Sequence, residues 1–176
     1  MLVDANELGA EASIAAMRAL EVELFGNHAW SENSVRQEIE GPGRTYIFDM
    51  DDDTHAIRGF AGYWYDGEDA EIMDVGVGKT YQRQGIARAL MAELIARAHQ
   101  QGAQRMLLEV SVINEPAIRL YTSLGFERIG LRKRYYQPEG IDAYVMALDM
   151  SPRIVGFQSA SRTETNDNEH TEQNGR

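Results

Sequence analysis

The stretch Val75-Gly76-Val77-Gly78-Lys79-Thr80-Tyr81-Gln82-Arg83-Gln84-Gly85-Ile86-Ala87 reads as a strand, a glycine-containing turn and the start of a helix. A helix start leaves backbone N–H groups unpaired and carries roughly half a positive charge from the helix dipole, so an anion binds there without a lysine-rich pocket. Gly85 lets the backbone come close to such an anion, and the small Ala87 leaves the approach open. The spacing is neither the G-x-x-x-x-G-K-[ST] phosphate loop of nucleotide hydrolases nor the G-x-G-x-x-G dinucleotide fingerprint. Taken alone it equally describes an ordinary strand-to-helix turn.

Downstream, Ile86, Leu90 and Leu94, with Ala87, Met91 and Ile95 beside them, form one apolar helical face, and Gly102 supplies its stop. Arg105 to Val112 follows as a strand, so the helix between Val77 and Met106 is a right-handed crossover that makes the two strands a parallel pair. Pro116 opens another helix, where it loses no needed N–H, and Gly125 ends it. Strands at about Glu127 to Tyr136 and Asp142 to Leu148 complete the chain's ordered part.

Upstream, Glu71 to Val77 is a strand in which Gly76 suggests a bulge or a close ligand approach. Thr45 to Met50 and Ala56 to Tyr65 make a hairpin across the acidic turn Asp51-Asp52-Asp53, which lacks the ligand spacing of a calcium loop and predicts no metal. Ala10 to Phe25 reads as a noisy helix on Ile14, Met17, Leu20, Val22 and Leu24. Ser31 caps a second helix continued by Val35 and Ile39. Trp30 stands before that cap either as a packing staple or as part of a substrate-facing loop. Met1 to Leu8 is weakly written for a strand.

Composition bounds the function. The 176 residues, 43% hydrophobic, suit one domain over 1–152 and a polar tail over 153–176, with too little apolar surface in the tail to repay the entropy of ordering. No apolar run is long enough for a membrane span, and the start lacks a secretory signal. The absence of cysteine excludes disulfides and thiol catalysis, and the cytoplasm is the expected compartment. A net charge of −11 argues against direct nucleic-acid binding and favours a basic partner.

A second cluster carries chemistry. Leu107-Leu108-Glu109-Val110 places a carboxylate inside a strand that otherwise reads as buried, where an unpaired charge costs several kcal/mol. Glu109 therefore either pairs with an arginine or serves as a general base. Asn114 is a helix cap or a ligand contact, and Tyr121 extends the apolar stripe of Ala117, Leu120 and Leu124 or supplies a hydroxyl.

Together these pieces resemble one family. Gln82-Arg83-Gln84-Gly85-Ile86-Ala87, Leu108-Glu109-Val110 with Asn114, Leu120-Tyr121 with Leu124-Gly125-Phe126, and Arg134-Tyr135-Tyr136 with Asp142-Ala143-Tyr144-Val145-Met146 look like the RimI branch of the GNAT acetyltransferases. The likeness runs from about Ala10 to Asp149 and includes Trp30-Ser31-Glu32. It implies an α/β fold (α+β, mixed sheet), the GNAT acyl-CoA N-acyltransferase fold, with strands splayed at the cofactor site and the pantetheine arm of acetyl-CoA lying in the gap. It implies Glu109 as general base and Tyr121 as general acid. Cofactor contacts would come from Val75, Gly76, Val77, Gln82, Arg83, Gln84, Gly85, Ile86, Ala87, Arg88 and Asn114, with the thioester carbonyl held by a strand amide, that of Val77. The implied acceptor is the N-terminal α-amine, an Ala, of a ribosomal protein. Ser111 and Ile113 depart from the family pattern, which commonly has Arg and Ser there, and Pro116 is also less typical.

Acceptor chemistry agrees with that choice. An α-amine of pKa about 7.7–8.0 costs roughly 1 kcal/mol to deprotonate at pH 7, against roughly 4.6 kcal/mol for a lysine at about 10.4, so a single carboxylate suits the former. The alternatives are a GNAT acting on a protein lysine or a small amine, and a non-catalytic acyl-CoA-binding module.

Overall fold

The computed structural model describes residues 1–151, so the polar tail expected from Arg153 lies outside the described residues. In chain order the elements are β1 (Leu2–Asp4), α1 (Ala5–Leu8), α2 (Ala10–Phe25), α3 (Glu32–Glu40), β2 (Arg44–Met50), β3 (Ile57–Tyr65) and β4 (Asp69–Val77). They continue through α4 (Ile86–Gln101), β5 (Arg105–Ser111), α5 (Glu115–Ser123), β6 (Glu127–Tyr136) and β7 (Ile141–Asp149). One mixed sheet takes all seven strands in the order β1-β2-β3-β4-β5-β7-β6. The weakly written N-terminus does form a strand, pairing Leu2–Asp4 with Ile47–Asp49, because the edge of β2 supplies the partner that its own sequence does not advertise.

Two apolar cores flank the sheet. One joins Leu90, Met91, Leu94 and Ala98 of α4 to Met106, Leu108 and Val110 of β5, with Tyr121 and Phe126 beside them. The other packs Ile14, Met17 and Leu20 of α2 and Val35 of α3 on Phe48 and Phe60. The buried face of α2 differs from the sequence expectation at one place: Val22 is 48% exposed, whereas Glu21 is only 2% exposed. At 3.6 residues per turn the row Ile14, Met17, Glu21 falls on one face and Val22 falls off it.

The parallel pairing of β4 with β5 fixes the site. It spans only Asp69↔Arg105, Ala70↔Met106 and Glu71↔Leu107, after which the two strands diverge. Both strands are held on their outer sides, β4 by β3 and β5 by β7 along its whole length, so the divergence opens a gap in a sheet that is otherwise continuous. A bulge helps to aim β4. Gly62 faces Asp74 while Tyr63 faces Ile72, which leaves Met73 as the extra residue. The bulge thus lies three residues before Gly76, which pairs regularly with Phe60. A Cβ on Gly76 would stand 2.7 Å from the Phe60 ring and 2.9 Å from Leu24, so this glycine serves packing between β4 and α2.

Candidate active site

The turn that follows β4 has the geometry its sequence suggests. Gly85 is the residue before α4, with φ +81°, and nothing lies within 4 Å of where its Cβ would be. No side chain caps the helix start, and the first intrahelical bond there runs from Ala89 N–H to the Gly85 carbonyl. The amides of the first turn are therefore directed at open space, which is where an anion of a phosphate ester fits. Arg83 also takes a positive φ, +62°, and Gln82 Nε2 donates to the Val77 carbonyl at 3.0 Å, which ties the turn to the end of β4. Gln84 donates weakly to the Thr80 carbonyl at 3.4 Å, and Arg88 to Ser123 Oγ at 2.7 Å, which links α4 to α5. Ile86 is buried at 7% exposure and Ala87 packs against the same core, so these two support the turn from beneath.

Strand alternation orients the backbone of β4. Gly78 N–H donates to the Arg58 carbonyl on β3, so the amides of Val75 and Val77, three and one residues earlier, face the gap instead. The Val75 amide meets Asp74 Oδ1 at 2.9 Å.

Between β4 and β5 lies a cavity of about 570 Å³. Met106, Leu108 and Val110 of β5 point into the α4 core, so Glu109 points to the opposite face, where it reaches Arg132 of β6 at 3.5 Å. Its side chain is 12% exposed and that of Arg132 is 58% exposed, so the pair is open on the arginine side. An arginine thus stands beside Glu109, and the carboxylate still lines the cavity. Glu71, one β4 residue within reach, has its carboxyl raised by burial and then by the Glu109 charge.

Tyr121 comes to the same cavity from α5, edge-on to Phe126 with ring centroids 6.0 Å apart. Burial first, then Tyr136 and Asp74, push its phenol up to about 12. A phenol so placed stays protonated across the neutral range and remains a donor. Asn114 caps α5, its Oδ1 accepting from Ala117 N–H at 3.3 Å, and it also lines the cavity. Trp30 precedes the Ser31 cap, packs with the α2–α3 core and also forms part of the cavity wall.

Two carboxyl groups of the cavity wall escaped the sequence reading. Glu21 of α2 and Asp74 of β4 both line the cavity, and burial followed by the neighbouring Glu21 raises the Asp74 carboxyl to about 9. The signal for Asp74 was the one used for Glu109, a carboxylate inside an apolar strand, here Ile72-Met73-Asp74-Val75. With Glu109, the cavity wall carries three carboxyl groups and neither lysine nor arginine, beside the aromatic rings of Trp30, Tyr135 and Tyr136. Such a lining attracts a cation and repels an anion.

Comparison with known proteins agrees with this architecture. The sequence profile of the acetyltransferase (GNAT) family matches residues 14–126. N-alpha-acetyltransferase RimI of Mycobacterium tuberculosis is 36% identical over 135 residues, which cover 74% of this chain and 82% of that protein. The crystal structure of the ribosomal-protein-S18-alanine N-acetyltransferase from Escherichia coli aligns with a TM-score of 0.77 at 27% identity, over 89% of this chain and 99% of that one. Arabidopsis thaliana NAA60 in complex with acetyl-CoA shares the fold, with a TM-score of 0.72 at 20% identity over 85% and 97% of the two chains.

Proposed function

The chain belongs to the acetyltransferase (GNAT) family and is an N-acetyltransferase that uses acetyl-CoA, and we propose that its acceptor is the N-terminal α-amine, an Ala, of a ribosomal protein, attacked directly in a ternary complex. The observation that carries this reading is the cavity in the β4–β5 gap, whose wall carries three carboxyl groups for an amine to meet, beside a strand that leads on to the uncapped start of α4. The two relatives named for N-terminal acetylation support the acceptor class, and a basic ribosomal protein would match the chain's charge of −11. Such an acceptor places the enzyme in the cytoplasm; among the described residues no helix is long and apolar enough to cross a membrane.

The residues present fit acetyl-CoA as co-substrate, which supplies an acyl carbon activated by a thiol leaving group. The amides around Gly85, Ile86 and Ala87 would hold its pyrophosphate, with Gln82, Arg83, Gln84 and Arg88 around them. Val75 and Val77 would offer gap-facing amides to the pantetheine arm and the thioester carbonyl, Gly76 would permit the close packing of β4 that keeps them in place, and Asn114 would contact the arm. Glu109 takes the proton that the acceptor nitrogen must lose, directly or through a water. Tyr121 keeps its proton at Oη and gives it to the leaving thiolate. No metal has a part in this scheme.

The test is CoA release measured with an Ala-starting peptide, the same peptide blocked at its N-terminus, and a lysine-containing control. Release only with the free α-amine is the expected result. Equal activity on the blocked or lysine peptide would reject the acceptor assignment.

A further inference from the structure

The scheme above gives tasks to Glu109 and Tyr121 and leaves Glu21 and Asp74 without one. Glu21 is 2% exposed; its Oε2 accepts from the Trp30 backbone N–H at 2.8 Å, but its Oε1 is buried with no hydrogen-bond partner. Asp74 repeats the pattern. Its Oδ1 accepts from the Val75 N–H at 2.9 Å, while its Oδ2 is buried and unpartnered. Buried carboxylate oxygens without donors are costly, and two carboxyl groups facing one site repel when both are ionised. A position needing only packing would be better filled by an apolar or amide side chain.

Among the described residues no cationic side chain pairs with these two oxygens, and the donor available between them is the proton that Asp74 keeps, shared with Glu21. Arg18, one turn earlier on α2, also keeps a buried Nη1 without a hydrogen bond, and it forms no ion pair with either carboxyl among the described residues. The other titratable groups that act on Asp74 or are acted on by it are Glu38 of α3, Tyr46 of β2, Tyr121 of α5 and Tyr136 of β6. None of them is a cation. A primary ammonium group has the complementary chemistry: one positive charge and three N–H donors on a single atom, enough to meet both free oxygens at once.

We propose that Glu21 and Asp74 together form the seat of the acceptor's α-ammonium group, on the face of the β4–β5 gap that also carries Glu109. The proposal rests on the amine-acceptor reading and extends it from the proton-accepting residue to the residues that bind the amine. The bulge at Met73 gains a purpose in this arrangement, because it turns Asp74 toward α2 and Glu21. The Glu21 bond to Trp30 N–H fixes the seat to the loop leading into α3, so the amine site and the aromatic wall are built together. The pair acts in binding and positioning, while removal of the proton stays with Glu109.

The experiment uses the full chain saturated with coenzyme A and measures peptide binding by calorimetry, with a free Ala-starting peptide and its N-terminally blocked counterpart. Asp74→Asn keeps an oxygen for Val75 N–H, and Glu21→Gln keeps one for Trp30 N–H, so both variants should fold, which thermal melting verifies. Each should weaken the free peptide about tenfold or more, the scale of a charge-assisted bond, and leave the blocked peptide and acetyl-CoA unchanged. In turnover the loss should appear in the peptide KM more than in kcat. Free-peptide affinity within twofold of wild type in both folded variants would overturn the proposal, as would equal weakening of the blocked peptide. If the wild type binds the free peptide in preference to the blocked one yet releases no CoA with it, the acceptor reading fails while the seat stands.

Discussion

Asp74→Asn offers a test of the buried acid pair that needs no substrate. The Asp74 carboxyl is raised to about 9, by burial first and then by Glu21, whereas in the unfolded chain it has an ordinary carboxylate value near ~3.9. The folded-state pKa lies above the unfolded one, so this group's stabilising contribution is complete below pH ~4 and is lost as pH rises toward 9. Between pH 6 and pH 8 the folded protein holds one proton here that the unfolded chain has released. The unfolding free energy then falls by on the order of 1 kcal/mol per pH unit, or about 3 kcal/mol over that interval, and the slope depends on one proton rather than on the exact pKa. For a chain of this size 1 kcal/mol moves Tm by about 2–4 °C, so the wild type should lose on the order of 5–10 °C from this source between pH 6 and pH 8. Asn cannot ionise, and its amide can donate to the free Glu21 oxygen. The variant should therefore melt at a more nearly constant temperature and should exceed the wild type at pH 8. Melting curves of both proteins across pH 5 to 9, at constant ionic strength, read the difference directly. Parallel curves for the two proteins would refute the argument that Asp74 is held protonated in the fold.

Three substitutions probe the remaining roles. Glu109→Gln should lower turnover at neutral pH by about 10²-fold or more with little change in acetyl-CoA affinity, and an unchanged rate would remove Glu109 from the chemistry. Tyr121→Phe keeps the edge-on contact with Phe126 and removes only the hydroxyl, so it should leave Tm close to wild type while slowing acetyl transfer by about 10²-fold; full activity in the folded variant would make Tyr121 a packing residue only. Gly85→Val forces a β-branched side chain into a backbone with φ +81° and into the open space before α4, so calorimetry should show acetyl-CoA binding at least about tenfold weaker, and normal affinity would contradict the phosphate-turn assignment.

Much of this fold is legible because its strongest elements carry their own punctuation. Gly102 stops α4 at φ +92°, Ser31 caps α3 through the Ser34 amide, Asn114 caps α5, and each signal acts within one helical turn of the residue that carries it. The crossover rule then gives the β4–β5 parallel pair without any knowledge of contacts. β1 was harder because three residues cannot express a pattern, and what orders them is the free edge of β2. The position of the bulge was not legible from Gly76. A glycine marks a close approach, and here the approach is that of Phe60 and Leu24, while the extra residue is an unremarked methionine three positions earlier.

The site divides along the same line. Glu109 and Asp74 each break an apolar strand, and the same reasoning that singles out the first applies to the second: strand alternation alone says that a carboxylate there must face a ligand, a partner or water. Glu21 gave a weaker sign, since α2 is polar over much of its surface and a glutamate on it reads as solvated until the row Ile14, Met17, Glu21 is counted out. What no local pattern could give is that Glu21 and Asp74 meet, because that depends on a bulge in one element, the packing of another and a separation of fifty-three positions in the chain. The sequence therefore exposes the residues whose cost is visible within a single strand, and the fold exposes the pair whose cost appears only when two elements bring their carboxyl groups to one cavity. Such a pair cannot ionise fully in the free protein, where Asp74 keeps its proton, and does so only when a cation takes that proton's place, so an ammonium group gains a second carboxylate partner on binding, and that is the difference in free energy from which recognition of a free N-terminus over a blocked one can come.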